Sequence, residues 1–179
     1  GRGAVRLSLL GGLTVTMVDF VSNCLDEDVR AMLTMPAPAL RFVKADLERG
    51  PLPVGEFAVC FDVMEHIPPD KVDVVLDHIL RAAQHVFFSI STVDDACGAL
   101  IGERLHLSVH PYRWWLGAFT RRDCTIDWCR EEPGAGFFYV SAWQDGQAVV
   151  DVGVLNVTEA QVRANVEHNC AQGWLQVSP

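Results

Sequence analysis

The chain has 179 residues, half of them hydrophobic and 21% charged, with a formal net charge of −9. Such a composition can bury a real core in one domain with a small appendage, and it excludes an intrinsically disordered type. No apolar run approaches the roughly 18 residues that cross a bilayer, and scattered Lys and Arg argue against a nucleic-acid-binding face.

In chain order, the glycine-rich opening "GRGAVRLSLLGG" reads as a turn at Gly1 and Gly3 where backbone can approach a ligand closely, or as a flexible start. "LTVTMVD" (Leu13 to Asp19) follows Gly11-Gly12 and reads as a buried strand. "LDEDVRAMLTM" has helical spacing at Leu25, Val29 and Leu33 and stops before Pro36 and Pro38. "LRFVKAD" (Leu40 to Asp46) alternates as a strand, and "EFAVCFD" (Glu56 to Asp62) is a second buried strand by composition. After Pro68-Pro69, Val72, Leu76, Ile79, Leu80 and Ala83 share one helical face, and "HVFFSIS" (His85 to Ser91) returns to strand. The alternation argues for an α/β fold with a mostly parallel sheet.

The pattern then changes. "HPYRWWLGAF" (His110 to Phe119) reads as a short helix, and "CTIDWCRE" and "GFFYVSAW" as an antiparallel edge hairpin turned by "EPGAG". "AVVDVGV" is a further strand candidate. In "TEAQVRANVEHNCAQG", Thr158 and Gln161 have capping-box spacing, and Val162, Val166 and Cys170 form a narrow apolar stripe. Cys24, Cys60, Cys97, Cys124, Cys129 and Cys170 contain no C-x-x-C pair. With no basic region and apolar core at the start to make a signal peptide, they read as reduced thiols of a cytoplasmic protein.

Chemistry-bearing residues gather at carboxyl ends of the expected strands, where open α/β sheets place ligands. Asp19 follows Gly3 by 16 residues and can accept two hydrogen bonds from ribose hydroxyls; otherwise it is a solvated strand-end acid. Asp46 suits an adenine amino group, or the turn in "ADLERG". The most specific string is "CFDVMEHIPP" (Cys60 to Pro69).

Together, "GRGA", "VTMVD", "KADLERGPLP", "FAVCFDVMEHIPP" and "HVFFSIS" resemble successive motifs of the class I S-adenosylmethionine-dependent methyltransferase superfamily, with "DVMEHIP" similar to its D-V-L-E-H-I signature. The resemblance runs from Gly1 to about Trp143 and implies a Rossmann-like methyltransferase fold, with a methyltransferase domain over 1–145 and an extension over 146–179. It implies S-adenosylmethionine as cofactor, with Gly1 and Gly3 under its methionine part, Asp19 and Phe20 at the ribose, Asp46 and Leu47 flanking the adenine, and Phe61 on the pocket floor. The family also has a strand ahead of the glycines, lying between "LTVTMVD" and "EFAVCFD"; the chain does not contain it, and those two strands are expected to have unpaired edges.

The reaction the resemblance implies is methyl transfer to a hydroxyl or amine of a small-molecule or glycan-type acceptor. Glu65, His66 and His110 are candidate general bases, with loop orientation and helix capping as the other role for Glu65 and His66. Asp62, Glu65 and His66, with His106 and His110 of "HLSVHPYRWW" offering the later histidine, also resemble the Glu-x-x-Glu-His string plus later histidine of metal-dependent small-RNA 2′-O-methyltransferases, and Asp62, Glu65, His66 and His110 are the candidate ligands. Asp62 here replaces a longer Glu, and Mg²⁺, Mn²⁺ or Zn²⁺ would suit such ligands. Tyr112, Trp114, Trp115 and Phe119 could line an acceptor pocket or pack the helix on the sheet, and Arg104 and Arg113 could meet an anionic acceptor or solvent. Two other classes fit parts of the pattern: a catalytically silent methyltransferase-like scaffold, and a nicotinamide-dependent oxidoreductase, in which "DVMEHIP" has no role. Oligomeric state is not legible.

Overall fold

The computed structural model describes residues 1–36 and 39–141, together with residues 160, 163, 164, 167, 168, 171 and 172. It is an α/β structure in two compact units, one built on Gly1–Asp46 and one on Leu47–Val150.

The first unit runs α1 (Arg2–Gly11), β1 (Val15–Asp19), α2 (Glu27–Met32) and β2 (Leu40–Lys44). Helix α1 is a correction to the expected glycine loop. Gly1 stands at its N-cap and Gly3 lies in its first turn, while Val5, Ser8 and Leu9 turn inward. The helix closes at Gly12, whose φ of 65° is the left-handed conformation glycine adopts freely. Strands β1 and β2 pair in parallel, Val15 opposite Leu40 and Asp19 opposite Lys44. Val5, Leu9, Leu25, Val29 and Leu40 form the core of this unit. Helix α2 is shorter than its sequence suggests, because Leu33 caps it and turns lead to Pro36.

The second unit runs β3 (Gly55–Phe61), a single 3-10 turn at Met64–His66, α3 (Val72–Ala82), β4 (Ala83–Ser91), α4 (Ala96–Ile101), α5 (Tyr112–Thr120), β5 (Thr125–Glu132) and β6 (Ala135–Ser141). Its sheet has the order β3-β4-β6-β5, parallel between β3 and β4 and antiparallel through the edge hairpin. Helix α3 forms because Val72, Val75, Leu76, Ile79 and Leu80 recur at helical spacing and all are buried. Ala83, expected on that helical face, is instead the first residue of β4 and remains buried there. On β4, Val86, Phe88 and Ile90 alternate into a core shared with Trp115, Phe119 and Phe138. Gly134, at φ 83°, supplies the left-handed residue after Pro133 that the hairpin turn needs.

Strand β1 ends one sheet and β3 ends the other, and among the described residues neither has a partner on its outer edge. Helix α4 had no counterpart in the sequence reading. The expected strand "AVVDVGV" and the apolar stripe Val162, Val166 and Cys170 lie outside the described residues. No helix among the described residues is long and apolar enough to cross a membrane.

Candidate functional site

At the carboxyl end of the first unit's sheet, Asp19 closes β1 and Asp46 lies two residues beyond β2. The two strand ends are tied by the Ala45 N–H donating to the Asp19 carbonyl at 3.0 Å. The Asp19 carboxylate anchors the turn that follows: Oδ1 accepts the Val21 N–H at 3.0 Å and Oδ2 the Cys24 thiol at 3.3 Å. A carboxylate has about four acceptor sites, so two remain for a ligand. Burial raises the Cys24 thiol pKa, with Asp19 adding to the rise, which keeps that proton on sulfur. Phe20 is 66% exposed beside this turn. Gly1 is tightly surrounded, since a Cβ there would meet Val29 Cγ1 at 2.9 Å, whereas Gly3 has open space.

In the second unit, Leu47 packs on the core and its carbonyl meets His78 Nδ1 at 2.7 Å. Phe61 ends β3 half-exposed, edge-on to Phe87. Asp62 then takes φ 51°, a left-handed conformation that costs a side chain some strain and turns the chain sharply off the strand. It is held there by its N–H donating to the Ser89 carbonyl at 2.9 Å and by the Ser89 hydroxyl donating to Oδ1 at 3.3 Å.

That turn drives Glu65 inward and leaves His66 outside. Glu65 is 1% exposed. Its Oε1 accepts the Ser91 N–H at 3.0 Å, and its backbone carbonyl accepts the N–H groups of Leu107 at 2.7 Å and Ser108 at 2.9 Å. The Ser108 hydroxyl donates to the Ile67 carbonyl at 2.7 Å, so residues 105–108 form a strap across the 3-10 turn. His66 Nδ1 reaches the Leu105 carbonyl at 2.9 Å, and His106 Nδ1 the Val93 carbonyl at 2.7 Å. The two imidazoles meet edge to face with ring centres 4.9 Å apart. One ligand atom each of Glu65, His66 and His106 lies within 4.8 Å of the others. Neither Asp62 nor His110 belongs to that group, although both were in the sequence-based ligand set. Nearby, the Gly98 backbone N–H holds the Asp95 carboxyl below the usual carboxylate range, helped by the His106 and His66 imidazoles.

His110 instead stacks on Trp114, ring centres 3.8 Å apart and 14° from parallel, and burial lowers its pKa. The aromatic helix is chiefly core: Trp115 and Phe119 are fully buried and Tyr112 stacks on Phe138. Arg104 donates to the His106 carbonyl at 3.0 Å and lies 3.9 Å from Asp94. Arg122, half of the sole basic doublet, is committed to Asp73 at 2.6 Å and Asp77 at 2.7 Å.

The sequence offers both His106 and His110 of "HLSVHPYRWW" as the later histidine, with His110 taken as the candidate ligand; the structure groups His106 with Glu65 and His66 instead. Only the strap's hydrogen bonds choose between them.

No family model matches the chain, and no curated protein matches it in sequence. Solved structures do match. Magnesium protoporphyrin IX methyltransferase from Synechocystis PCC 6803, with bound S-adenosylmethionine, aligns at TM-score 0.59 and 13% identity over 80% of this chain and 65% of that one. This is the methyltransferase fold. Human N-acetylserotonin methyltransferase, also in complex with S-adenosylmethionine, aligns at 0.56 and 11% over 77% and 43%. An O-methyltransferase family protein from Burkholderia thailandensis aligns at 0.54 and 14% over 74% and 45%. The chain thus spans from under half to about two thirds of the length of these methyltransferase-fold structures.

Proposed function

We propose that this chain binds S-adenosylmethionine and takes part in moving its methyl group to a hydroxyl or amine of a small-molecule or glycan-type acceptor. The observation that carries the reading is positional. Within the first unit Asp19 closes β1 and Asp46 follows β2, in a fold whose neighbours were solved with this cofactor. A carboxylate at a strand's carboxyl end, with acceptor sites left over, is suited to a ribose diol. The compounds named for the two cofactor-bound neighbours, N-acetylserotonin and magnesium protoporphyrin, are small molecules, which favours that acceptor class.

The chemistry asks little of the protein. In an in-line displacement the acceptor oxygen or nitrogen attacks the methyl carbon, the carbon–sulfur bond breaks, and S-adenosylhomocysteine leaves. Positioning and exclusion of water supply the rate, and no covalent nucleophile is required. A base accepts the acceptor's proton where that proton is retained at neutral pH. Among Glu65, His66 and His110, the last has the support of burial, which keeps its ring neutral and able to take a proton.

The test is calorimetric titration of the full chain with S-adenosylhomocysteine. Binding is expected, and at one hundred times the dissociation constant it should stabilise the fold by about 2.7 kcal/mol. Asp19→Ala should weaken binding about ten- to a hundredfold, the loss of hydrogen bonds to a charged acceptor. Absence of heat and of thermal stabilisation would remove the catalytic reading and favour a silent scaffold.

A further inference from the structure

Between β2 and β3 the chain forms no helix or strand. Leu47 and Leu52 nonetheless pack on the core of the second unit, one at each end of the short segment they enclose. Between them Gly50 takes φ 45°, in the left-handed region that favours glycine. A Cβ there would stand 3.0 Å from both Cδ2 and Nε2 of His78, so the imidazole lies directly against bare backbone.

His78 projects from α3, whose Val75, Leu76, Ile79 and Leu80 are buried, so its ring stands on a firmly packed support. Its Nδ1 lies 2.7 Å from the Leu47 carbonyl oxygen, across 31 residues of chain. A carbonyl only accepts, so Nδ1 carries the proton and donates it. Apolar packing of Leu47 and Leu52 has no preferred direction. A hydrogen bond to the carbonyl does have one, and it fixes which way the Leu47 peptide faces.

We propose that, on the cofactor reading above in which Leu47 flanks the adenine, His78 is a positioning residue that acts through the Leu47 peptide. Groups that must be ordered at the moment of binding cost affinity, and groups already held in place do not. The His78 donor and the space left by Gly50 hold this part of the chain before any ligand arrives. Its contribution is to affinity for the adenosine half of the cofactor, not to the methyl-transfer step.

The experiment is calorimetric titration of the full chain with S-adenosylhomocysteine, paired with amide hydrogen exchange over residues 47–52. His78→Phe keeps a flat ring against Gly50 but has no donor. It should weaken binding about three- to tenfold, the worth of one hydrogen bond, and speed exchange in the segment. His78→Asn gives up the ring and keeps an N–H donor at the place of Nδ1, and should stay within about twofold of wild type. A histidine that serves packing alone predicts the reverse order, with Phe tolerated and Asn damaging. Gly50→Ala, which displaces the ring, should match His78→Phe and carries the same test if His78→Phe does not fold. Circular dichroism of each variant separates loss of positioning from loss of fold. No binding by the wild type would remove the cofactor reading and this role with it. Wild-type binding with undiminished affinity in folded His78→Phe and Gly50→Ala would overturn the role of His78 alone. So would a larger loss in folded His78→Asn than in His78→Phe.

Discussion

The two units pair parallel strands in the same way, yet they bury their side chains to different depths. In the larger one, β4 is hydrogen-bonded along both edges and sends Val86, Phe88 and Ile90, each with no exposed area, into the core. Large aromatic side chains, Trp115, Phe119 and Phe138, close that core. In the smaller unit every residue of β1 is only partly buried, and the core is five aliphatic side chains. Stability within a protein concentrates where apolar burial is deepest, and binding loops are drawn from the less stable end. Asp19, the acid suited to a ribose, belongs to the shallower unit. The Glu65 cluster belongs to the deeper one, where a strap can be held to within hydrogen-bond tolerance.

The largest effect should come from breaking the deeper core. Phe88→Ala is expected to cost about 3–5 kcal/mol in urea unfolding followed by tryptophan fluorescence. Val29→Ala in the smaller unit, at 1% exposure, removes two methylene equivalents and should cost about 1.6 kcal/mol. The size-matched change in the larger unit is Val86→Ala, at 0% exposure, and a loss no larger than that of Val29→Ala would mean that the units do not differ as their burial suggests. Arg122→Met comes next. Its guanidinium joins the end of α5 to α3 through Asp77, Asp73 and the Ala118 carbonyl, and it is 15% exposed. Because Asp73 is 75% and Asp77 39% exposed, solvent screens much of that attraction, and a loss of about 1 kcal/mol is expected. Raising the salt concentration should shrink the difference; an unchanged difference would assign the effect to packing of the side-chain stem.

The same contrast explains what the sequence could say. Strand β4 and helix α3 were legible because deep burial forces strict periodicity: "HVFFSIS" and Val72, Leu76, Ile79, Leu80 each satisfy one spacing. Helix α1 was not, since Gly1, Gly3, Gly11 and Gly12, at and beside its two ends, read as turn residues while only Val5, Ser8 and Leu9 turn inward. Glu65 and His66 were legible as chemistry because they adjoin a strand end. Which of His106 and His110 joins them was not, because that choice depends on backbone hydrogen bonds from a strap with no periodicity, about 40 residues along the chain. Backbone donors look alike in any sequence, so a choice made by them leaves no side-chain pattern.

The smallest expected effect asks whether the larger unit stays well packed at its rim. His110 lies flat on Trp114, and burial lowers its pKa. A histidine with a lowered folded pKa binds fewer protons than it does unfolded, so its effect on stability must rise with pH. The contribution is fully present above the unfolded value of about 6.5 and is lost as pH falls through the lower folded value. Thermal melts of wild type and His110→Gln at pH 7.5 and pH 5 isolate it, since the two proteins differ at that position alone. The wild type should lose more of its melting temperature between the two. Identical losses would mean that water reaches the ring freely and that this rim resembles the shallow unit more than the core beside it. A larger loss in the variant would reverse the sign of the burial effect and remove His110 as the neutral base.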